Sequence, residues 1–159
     1  MEAIQALWSA CCERQRDLGR DRTHLVGRAA EDFVTHLVCP ACAGFHWKSY
    51  AGNHPAYDLT CEACVPPLHF QIKAGKGLKP NAEEALQVMG TTYTKTVGAV
   101  GTVAYLLLSY ETLSEIRCMY YVPVGNTTAS CIQPWDATVP ATLCTITFPR
   151  GSYSKIRFE

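Results

Sequence analysis

Four cysteines in two closely spaced pairs constrain this chain more than any other feature. The first pair is Cys39-Pro-Ala-Cys42, and eighteen residues later comes Cys61-Glu-Ala-Cys64. Each pair can form a tight turn whose two thiolates converge, and two such turns supply four tetrahedral sulfur ligands. The spacing therefore predicts one structural zinc ion, held by all four side chains, with no coordination position open for catalysis.

Other roles for these cysteines use different chemistry. Free thiols or a redox pair would also place two cysteines three positions apart, but a redox pair does not require a second pair at this distance. His46 or His54 could replace one cysteine as a ligand. The remaining cysteines are scattered, and we expect them to be small buried apolar residues: Cys11, Cys12, Cys118, Cys131 and Cys144.

Length and composition indicate one ordinary globular domain. A chain of 159 residues is long enough for one core, and 48% hydrophobic with 18% charged residues is typical of a folded protein. We therefore expect a single domain over residues 1–159, with a zinc-binding insert over residues 39–64.

Charge and hydropathy limit the classes of partner. The chain has 14 basic and 14 acidic residues, so any nucleic-acid binding must use a local basic patch. The longest apolar run, residues 103–108, is too short to cross a membrane, and the N-terminus lacks the pattern of a secretory signal. Nine cysteines without such a signal favour a reducing compartment. We expect an intracellular protein, cytoplasmic or nuclear, that does not bind membranes.

The apolar pattern predicts an α/β fold. Apolar residues at helical spacing indicate a helix over residues 4–18, closed by Gly19, and a second helix with apolar stripes from Leu25 to Leu37. Glu31 falls on the polar side of the second helix. Further predicted elements are strands over residues 56–60, 68–73, 102–109, 116–122 and 154–158, and a helix over residues 80–95.

Polar residues flank the second cysteine pair. Asp58 lies on the predicted strand before it, and Gln71 and Lys73 share one face of the strand after it. Hydrolysis of a phosphodiester with a metal ion uses oxygen ligands to hold Mg²⁺, and a lysine to orient water and offset developing charge. The alternative is the solvated face of an edge hairpin, because these residue types are individually common.

These residues also carry a family resemblance. The run Pro55-Ala-Tyr-Asp58-Leu-Thr-Cys61-Glu-Ala-Cys64, followed by Gln71-Ile-Lys73-Ala-Gly-Lys76-Gly77, resembles the catalytic domain of the DpnI-like (Dam-replacing) restriction endonucleases. The resemblance includes Glu31-Asp32-Phe33 before Cys39-Pro40 and extends to about Tyr110. It covers the catalytic domain and not the winged-helix domain that follows it in those enzymes.

The resemblance implies a fold and a set of roles. The fold would be restriction-endonuclease-like (PD-(D/E)xK), a mixed sheet flanked by helices with an embedded four-cysteine zinc site. Asp58 would be the principal Mg²⁺ ligand, Lys73 the catalytic lysine, and Ile72 a ligand through its backbone carbonyl. Glu31 would complete the metal site. Gln71 would occupy the second acidic position, where the family typically has glutamate.

A basic segment lies beside these residues. Lys73, Lys76 and Lys79, separated by Gly75 and Gly77, would form a loop that contacts DNA phosphates. A solvated turn is the alternative. His69 shares a face with Gln71 and Lys73 and could line the site or serve the structure.

The leading hypothesis is a Mg²⁺-dependent endonuclease of restriction or methylation-dependent type. Its expected substrate is double-stranded DNA, and a homodimer is one expected form. The competing hypothesis is an inactive nuclease-fold zinc protein that binds nucleic acid or serves as an assembly subunit. A thiol redox protein is the third, and tight stoichiometric zinc would count against it.

Overall fold

The structure is a computed structural model that describes residues 2–50, 57–78, 103–124, 132–140, 145–146 and 156–157. Two helices open the chain, α1 (Glu2–Asp17) and α2 (Arg22–Val34). Asp21 begins α2 by accepting a hydrogen bond from the backbone N–H of His24. The first two predicted helices are confirmed, although α2 ends at Val34 and Leu37 lies beyond it. Leu18 lies beyond the end of α1 and is 53% exposed, so it does not belong to the apolar face.

Six strands form one sheet in the order β1-β2-β3-β4-β5-β6. All neighbouring strands are antiparallel except β3 and β4, which are parallel. A separate pair, β7 (Thr145–Ile146) and β8 (Ile156–Arg157), is antiparallel. The prediction of an α/β fold with a mixed sheet is confirmed. The six strands are β1 (Trp47–Ser49), β2 (Leu59–Cys61), β3 (Leu68–Lys76), β4 (Val103–Thr112), β5 (Glu115–Val122) and β6 (Gln133–Pro134).

Two strand boundaries near the polar residues differ from the prediction. β2 begins at Leu59, so Asp58 precedes the strand instead of lying on it. The strand predicted over residues 68–73 ends too early, because β3 continues to Lys76 and Gly75 pairs with Ser109 of β4. The chain turns only at Gly77, whose φ of +62° favours glycine.

Other strand predictions fare unevenly. The strands near residues 102–109 and 116–122 are confirmed as β4 and β5, and β8 lies within the predicted segment 154–158. Three strands of two or three residues, β1, β6 and β7, were not predicted. The helix predicted over residues 80–95 lies outside the described residues.

Both helices pack on the same face of the sheet. Trp8 of α1 meets Phe33 of α2 edge to face, with ring centroids 5.6 Å apart. Alternate residues of β3 and β4 complete this core: Phe70, Ile72, Ala104, Leu106 and Leu108. A smaller cluster lies on the other face of β4 and β5: Leu78, Tyr105, Leu107, Tyr120 and Val122.

Three of the scattered cysteines can be placed. Cys11 and Cys12 are fully buried, as expected, and Cys118 is half-buried. Cys131 and Cys144 lie outside the described residues. Among the helices that are described, none is long and apolar enough to cross a membrane.

Candidate metal centre and adjacent acidic site

The four paired cysteines converge on one point. All four sulfur atoms lie within 4.8 Å of one another. Cys39 Sγ is 3.8 Å from Cys64 Sγ, and Cys42 Sγ is 3.7 Å from Cys61 Sγ. Tetrahedral zinc with Zn–S bonds of about 2.3 Å separates its sulfurs by about 3.8 Å, whereas a disulfide bond is about 2.05 Å long. The cluster therefore fits a metal ion such as zinc, with each sulfur as one ligand.

Backbone hydrogen bonds shape the first cysteine turn. Cys39 N–H donates to the Gly44 carbonyl at 2.8 Å, and Ala43 N–H donates to the Cys39 carbonyl at 3.0 Å. Gly44 N–H also points at Cys42 Sγ, 3.3 Å away. A Cβ on Gly44 would lie 2.6 Å from the Cβ of Ala63 in the second turn. Glycine thus allows the two turns to approach closely enough for their sulfurs to meet.

Strand β1 ties the two turns to the core. Trp47 Nε1–H donates to the Leu37 carbonyl at 2.7 Å, just before the first turn. The same residue pairs with Cys61 across β1 and β2, and its ring meets Phe70 edge to face at 5.3 Å. The alternative ligand His46 is not in the cluster, because its exposed ring lies 3.6 Å from Glu62. His54 lies outside the described residues.

The thiols differ in acidity. Burial raises the pKa of Cys39 to about 12, although hydrogen bonds from the backbone N–H groups of Ala41 and Cys42 lower it in part. Burial raises the pKa of Cys64 as well. Burial also acts on Cys42, but hydrogen bonds from Gly44 N–H and the neighbouring thiols outweigh it, and the pKa of Cys42 is lowered. A metal ion must displace the remaining protons, so its binding releases protons.

Asp58 closes the β2–β3 pairing. The last cross-strand pair is Leu59 with Phe70, and Asp58 lies one residue beyond it. Asp58 N–H still donates to the Phe70 carbonyl at 2.9 Å. Its side chain then bends back, and Oδ2 accepts a hydrogen bond from Ile72 N–H at 2.8 Å. The carboxylate is therefore fixed against the middle of β3.

Glu31 reaches Asp58 from α2. Burial, together with the charge and hydrogen bond of Asp58, raises the pKa of Glu31 to about 7, against the opposing effect of the Arg28 guanidinium. Arg28 Nη1 lies 3.1 Å from Glu31 Oε2. The Glu31 side chain is 26% exposed. Glu31 is thus partly exposed, on a flank of α2 that lies beside Asp58.

Lys73 also acts on this carboxylate. Burial raises the pKa of Asp58, although Ile72 N–H and the charges of Lys73 and Arg28 work in the opposite direction. Gln71 and Lys73 are half-buried on one face of β3, while Phe70 and Ile72 are buried on the other. The predicted alternation along β3 is confirmed.

The oxygen donors of this acidic site suit a hard cation. Asp58 and Glu31 bring two carboxylates together, and carboxylate, amide and carbonyl oxygens, the donor types that the sequence predicts for this site, are all ligands that Mg²⁺ accepts. Two neighbouring carboxylates repel each other unless a proton or a cation lies between them. The carboxylates of Asp58 and Glu31 are therefore a pair that either a shared proton or a bound cation would stabilise.

The basic segment predicted to be a loop begins within strand β3. Lys73 and Lys76 both lie on β3, three positions apart, so their side chains leave opposite faces of the strand. Lys76 is exposed. Lys79 lies outside the described residues.

Sequence reasoning missed several neighbours of the site. His69 Nδ1 lies 2.8 Å from Thr60 Oγ1, which lies 2.7 Å from the hydroxyl of Tyr50. The His69 ring stacks on Tyr57, with centroids 4.0 Å apart and planes 9° apart. His69 is thus held rigidly on the face that carries Gln71. Arg28 could have been found from its position one turn before Glu31, but the cross-strand pairing of Thr60 with His69 has no local sequence signal.

Neither protein-family models nor characterised proteins match this chain at a significant level. The function therefore rests on the geometry of the two sites and on the chemistry of their residues.

Proposed function

We propose that this protein is a metal-dependent DNA endonuclease of the restriction-endonuclease-like (PD-(D/E)xK) class, similar to the DpnI-like enzymes, with a structural zinc ion. One observation carries the proposal. Asp58 is fixed by Ile72 N–H at 2.8 Å, with Glu31 and the positive charge of Lys73 close enough to act on it. Two carboxylates and a lysine around one point are a minimal set for hydrolysing a phosphodiester.

Asp58, Glu31, the amide of Gln71 and the carbonyl of Ile72 would hold Mg²⁺. When bound, this cation supplies charge stabilisation at the phosphoryl group and lowers the pKa of an attacking water. Gln71 is neutral and contributes less to cation binding than a glutamate would. Glu31 offsets this loss, because it brings a second negative charge to Asp58 from α2. This compensation favours the active enzyme over an inactive scaffold.

Lys73 would act on the substrate. It shares a face with Gln71, where its ammonium group can orient water and balance charge that develops on the phosphate. Lys76 and Lys79 would contact neighbouring phosphates, which supplies local attraction on a protein with balanced charge. The proposed substrate is double-stranded DNA, cut either by a homodimer or in successive nicks, within the cell.

The zinc ion would serve the structure. Four thiolates complete its shell, which leaves no position for substrate. Its ligands Cys61 and Cys64 lie between Asp58 and Gln71 in the chain, so the ion would hold the connection between β2 and β3 in place.

A cleavage panel tests the proposal. Adenine-methylated and unmethylated plasmids, and single-stranded and branched DNA, are incubated with the protein and Mg²⁺ or Mn²⁺, beside an Asp58→Ala control. We expect the parent to cut at least one plasmid and the control to cut none. A preference between the plasmids would reveal methyl dependence. If a folded parent cuts no substrate with either cation, the inactive nucleic-acid-binding protein replaces the enzyme as the better account.

A further inference from the structure

The interface between α1 and α2 holds a second group of metal-ligating side chains. Cys11 Sγ, a carboxylate oxygen of Asp32 and a ring nitrogen of His36 lie within 4.8 Å of one another. Cys11 belongs to α1, Asp32 to α2, and His36 lies just beyond the end of α2. Cys11 is fully buried, while the side chains of Asp32 and His36 are 16% and 21% exposed. The group therefore lies at the rim of the helix interface.

The distances fit a transition-metal ion. Asp32 Oδ1 lies 3.4 Å from His36 Nε2. Tetrahedral zinc with Zn–N and Zn–O bonds of about 2.1 Å separates these two donors by about 3.4 Å. Thiolate, imidazole and carboxylate are all zinc ligands, and three protein ligands leave a fourth position for water.

The other carboxylate oxygen of Asp32 provides a second observation. Asp32 Oδ2 is buried and has no hydrogen-bond partner. Arg14 Nη1 is 3.8 Å from it, beyond hydrogen-bond distance. A buried carboxylate oxygen that accepts no hydrogen bond is costly even with Arg14 in ion-pair range, and a bound metal ion beside it would remove more of that cost. Arg14 would then orient a ligating carboxylate from outside the coordination shell.

We propose that Cys11, Asp32 and His36 form a second site for a zinc-class transition metal, joining α1 to α2. Asp32 also lines a cleft of about 210 Å³, so the Asp32 edge of the site is open to solvent. The site is separate from the four-cysteine cluster and does not depend on the proposed nuclease activity.

Zinc stoichiometry tests this site. The full chain is equilibrated with Zn²⁺, desalted and analysed for zinc per chain by mass spectrometry of the metal. We expect two zinc ions in the parent and one in Cys11→Ala and in His36→Ala. Cys12→Ala is the matched control, because Cys12 is equally buried and adjacent but outside the group. It should retain two ions.

Two results would overturn the site. One is a single zinc ion in the parent, and the other is two zinc ions retained by the Cys11→Ala/His36→Ala double variant. Should Cys11→Ala fail to fold, His36→Gln decides alone, because this partly exposed side chain can be changed with less effect on the core. Circular dichroism of each variant separates loss of the metal from loss of the fold.

Discussion

Asp58 is a single residue with two roles, one in the structure and one in the proposed chemistry. Its Oδ2 accepts a hydrogen bond from Ile72 N–H, which lies beyond the last β2–β3 pair. The same carboxylate is the proposed principal ligand of Mg²⁺. An amide in its place retains an oxygen that can accept the hydrogen bond, but it carries no charge. The two roles can therefore be separated by substitution.

Asp58→Asn should lower cleavage by about 100-fold or more, since the charged ligand is lost. Its melting temperature should stay near that of the parent, because the Ile72 hydrogen bond survives. Asp58→Ala should lose both cleavage and the Ile72 hydrogen bond, and its free energy of unfolding should fall by about 1–2 kcal/mol. Initial cleavage rates and thermal unfolding measure the two effects. Parent-like cleavage by Asp58→Asn would remove this residue from the metal site.

Gln71 can be tested by a substitution that should strengthen Mg²⁺ binding. Gln71→Glu adds a negative charge on the face of β3 that carries Lys73, so the Mg²⁺ concentration for half-maximal cleavage should fall. Gln133→Glu on β6, an exposed glutamine away from the acidic site, is the control and should leave the Mg²⁺ titration unchanged. An unchanged titration for Gln71→Glu would count against Gln71 as a ligand.

Gly44 is the residue on which the approach of the two cysteine turns depends. Gly44→Ala should weaken zinc binding, because the new Cβ would lie 2.6 Å from the Cβ of Ala63 and 3.2 Å from Cys42 Sγ. Competition with a chromogenic chelator measures the affinity, and we expect a loss of about tenfold or more, the equivalent of about 1.4 kcal/mol. Gly27→Ala on α2 meets no atom within 4 Å and should leave zinc affinity unchanged while slightly stabilising the helix. Equal zinc affinity in Gly44→Ala and the parent would show that the turns can separate at no cost.

At the scale of elements, the zinc cluster and the acidic site share strand β2. Cys61 ends β2 and Asp58 directly precedes it, while Cys61 pairs with Trp47 on one side and with Leu68 on the other. A metal ion bound at Cys61 would thus hold β2 in register with β3. The positions of Asp58, just before β2, and of Gln71 and Lys73 on β3 relative to one another depend on that register.

Cys61→Ser should impair cleavage by about tenfold or more without altering any proposed Mg²⁺ ligand, because it weakens the zinc site that holds β2 in register with β3. The measurement pairs cleavage rate with zinc content. Cys118→Ser, on β5 and outside the cluster, is the control and should keep both. A normally folded Cys61→Ser protein with full activity would break the link between the two sites.

Local signals in the sequence suffice for part of this element structure. The helices follow from apolar periodicity, and the alternation of Phe70 and Ile72 with Gln71 and Lys73 follows from strand geometry. The end of β3 does not, because Gly75 is a poor strand residue that pairing with Ser109 keeps in the strand. The contact between Glu31 and Asp58 also depends on how α2 packs beside β2, which no local pattern encodes.

The whole molecule has no net charge at pH 7, but its metal-binding and charged side chains are grouped locally. The cysteine spacing correctly predicts the convergence of four sulfurs, because two short turns restrict where their thiolates can meet. The acidic site is assembled from α2, the residue before β2, and β3, so only the three-dimensional fold shows which residues meet. The ion pair of Arg28 with Glu31 and the contacts that fix His69 emerge only at this scale.

Metal dependence of cleavage by the intact protein tests the nuclease account most directly. Zinc-loaded protein freed of other cations is mixed in excess with supercoiled plasmid, and the single-turnover rate is followed with and without added Mg²⁺. The account predicts no cleavage before Mg²⁺ is added, cleavage afterwards, and unchanged zinc content throughout. Cleavage without added Mg²⁺ would contradict the proposed mechanism. So would a lack of cleavage at saturating Mg²⁺ on a substrate that the folded protein binds.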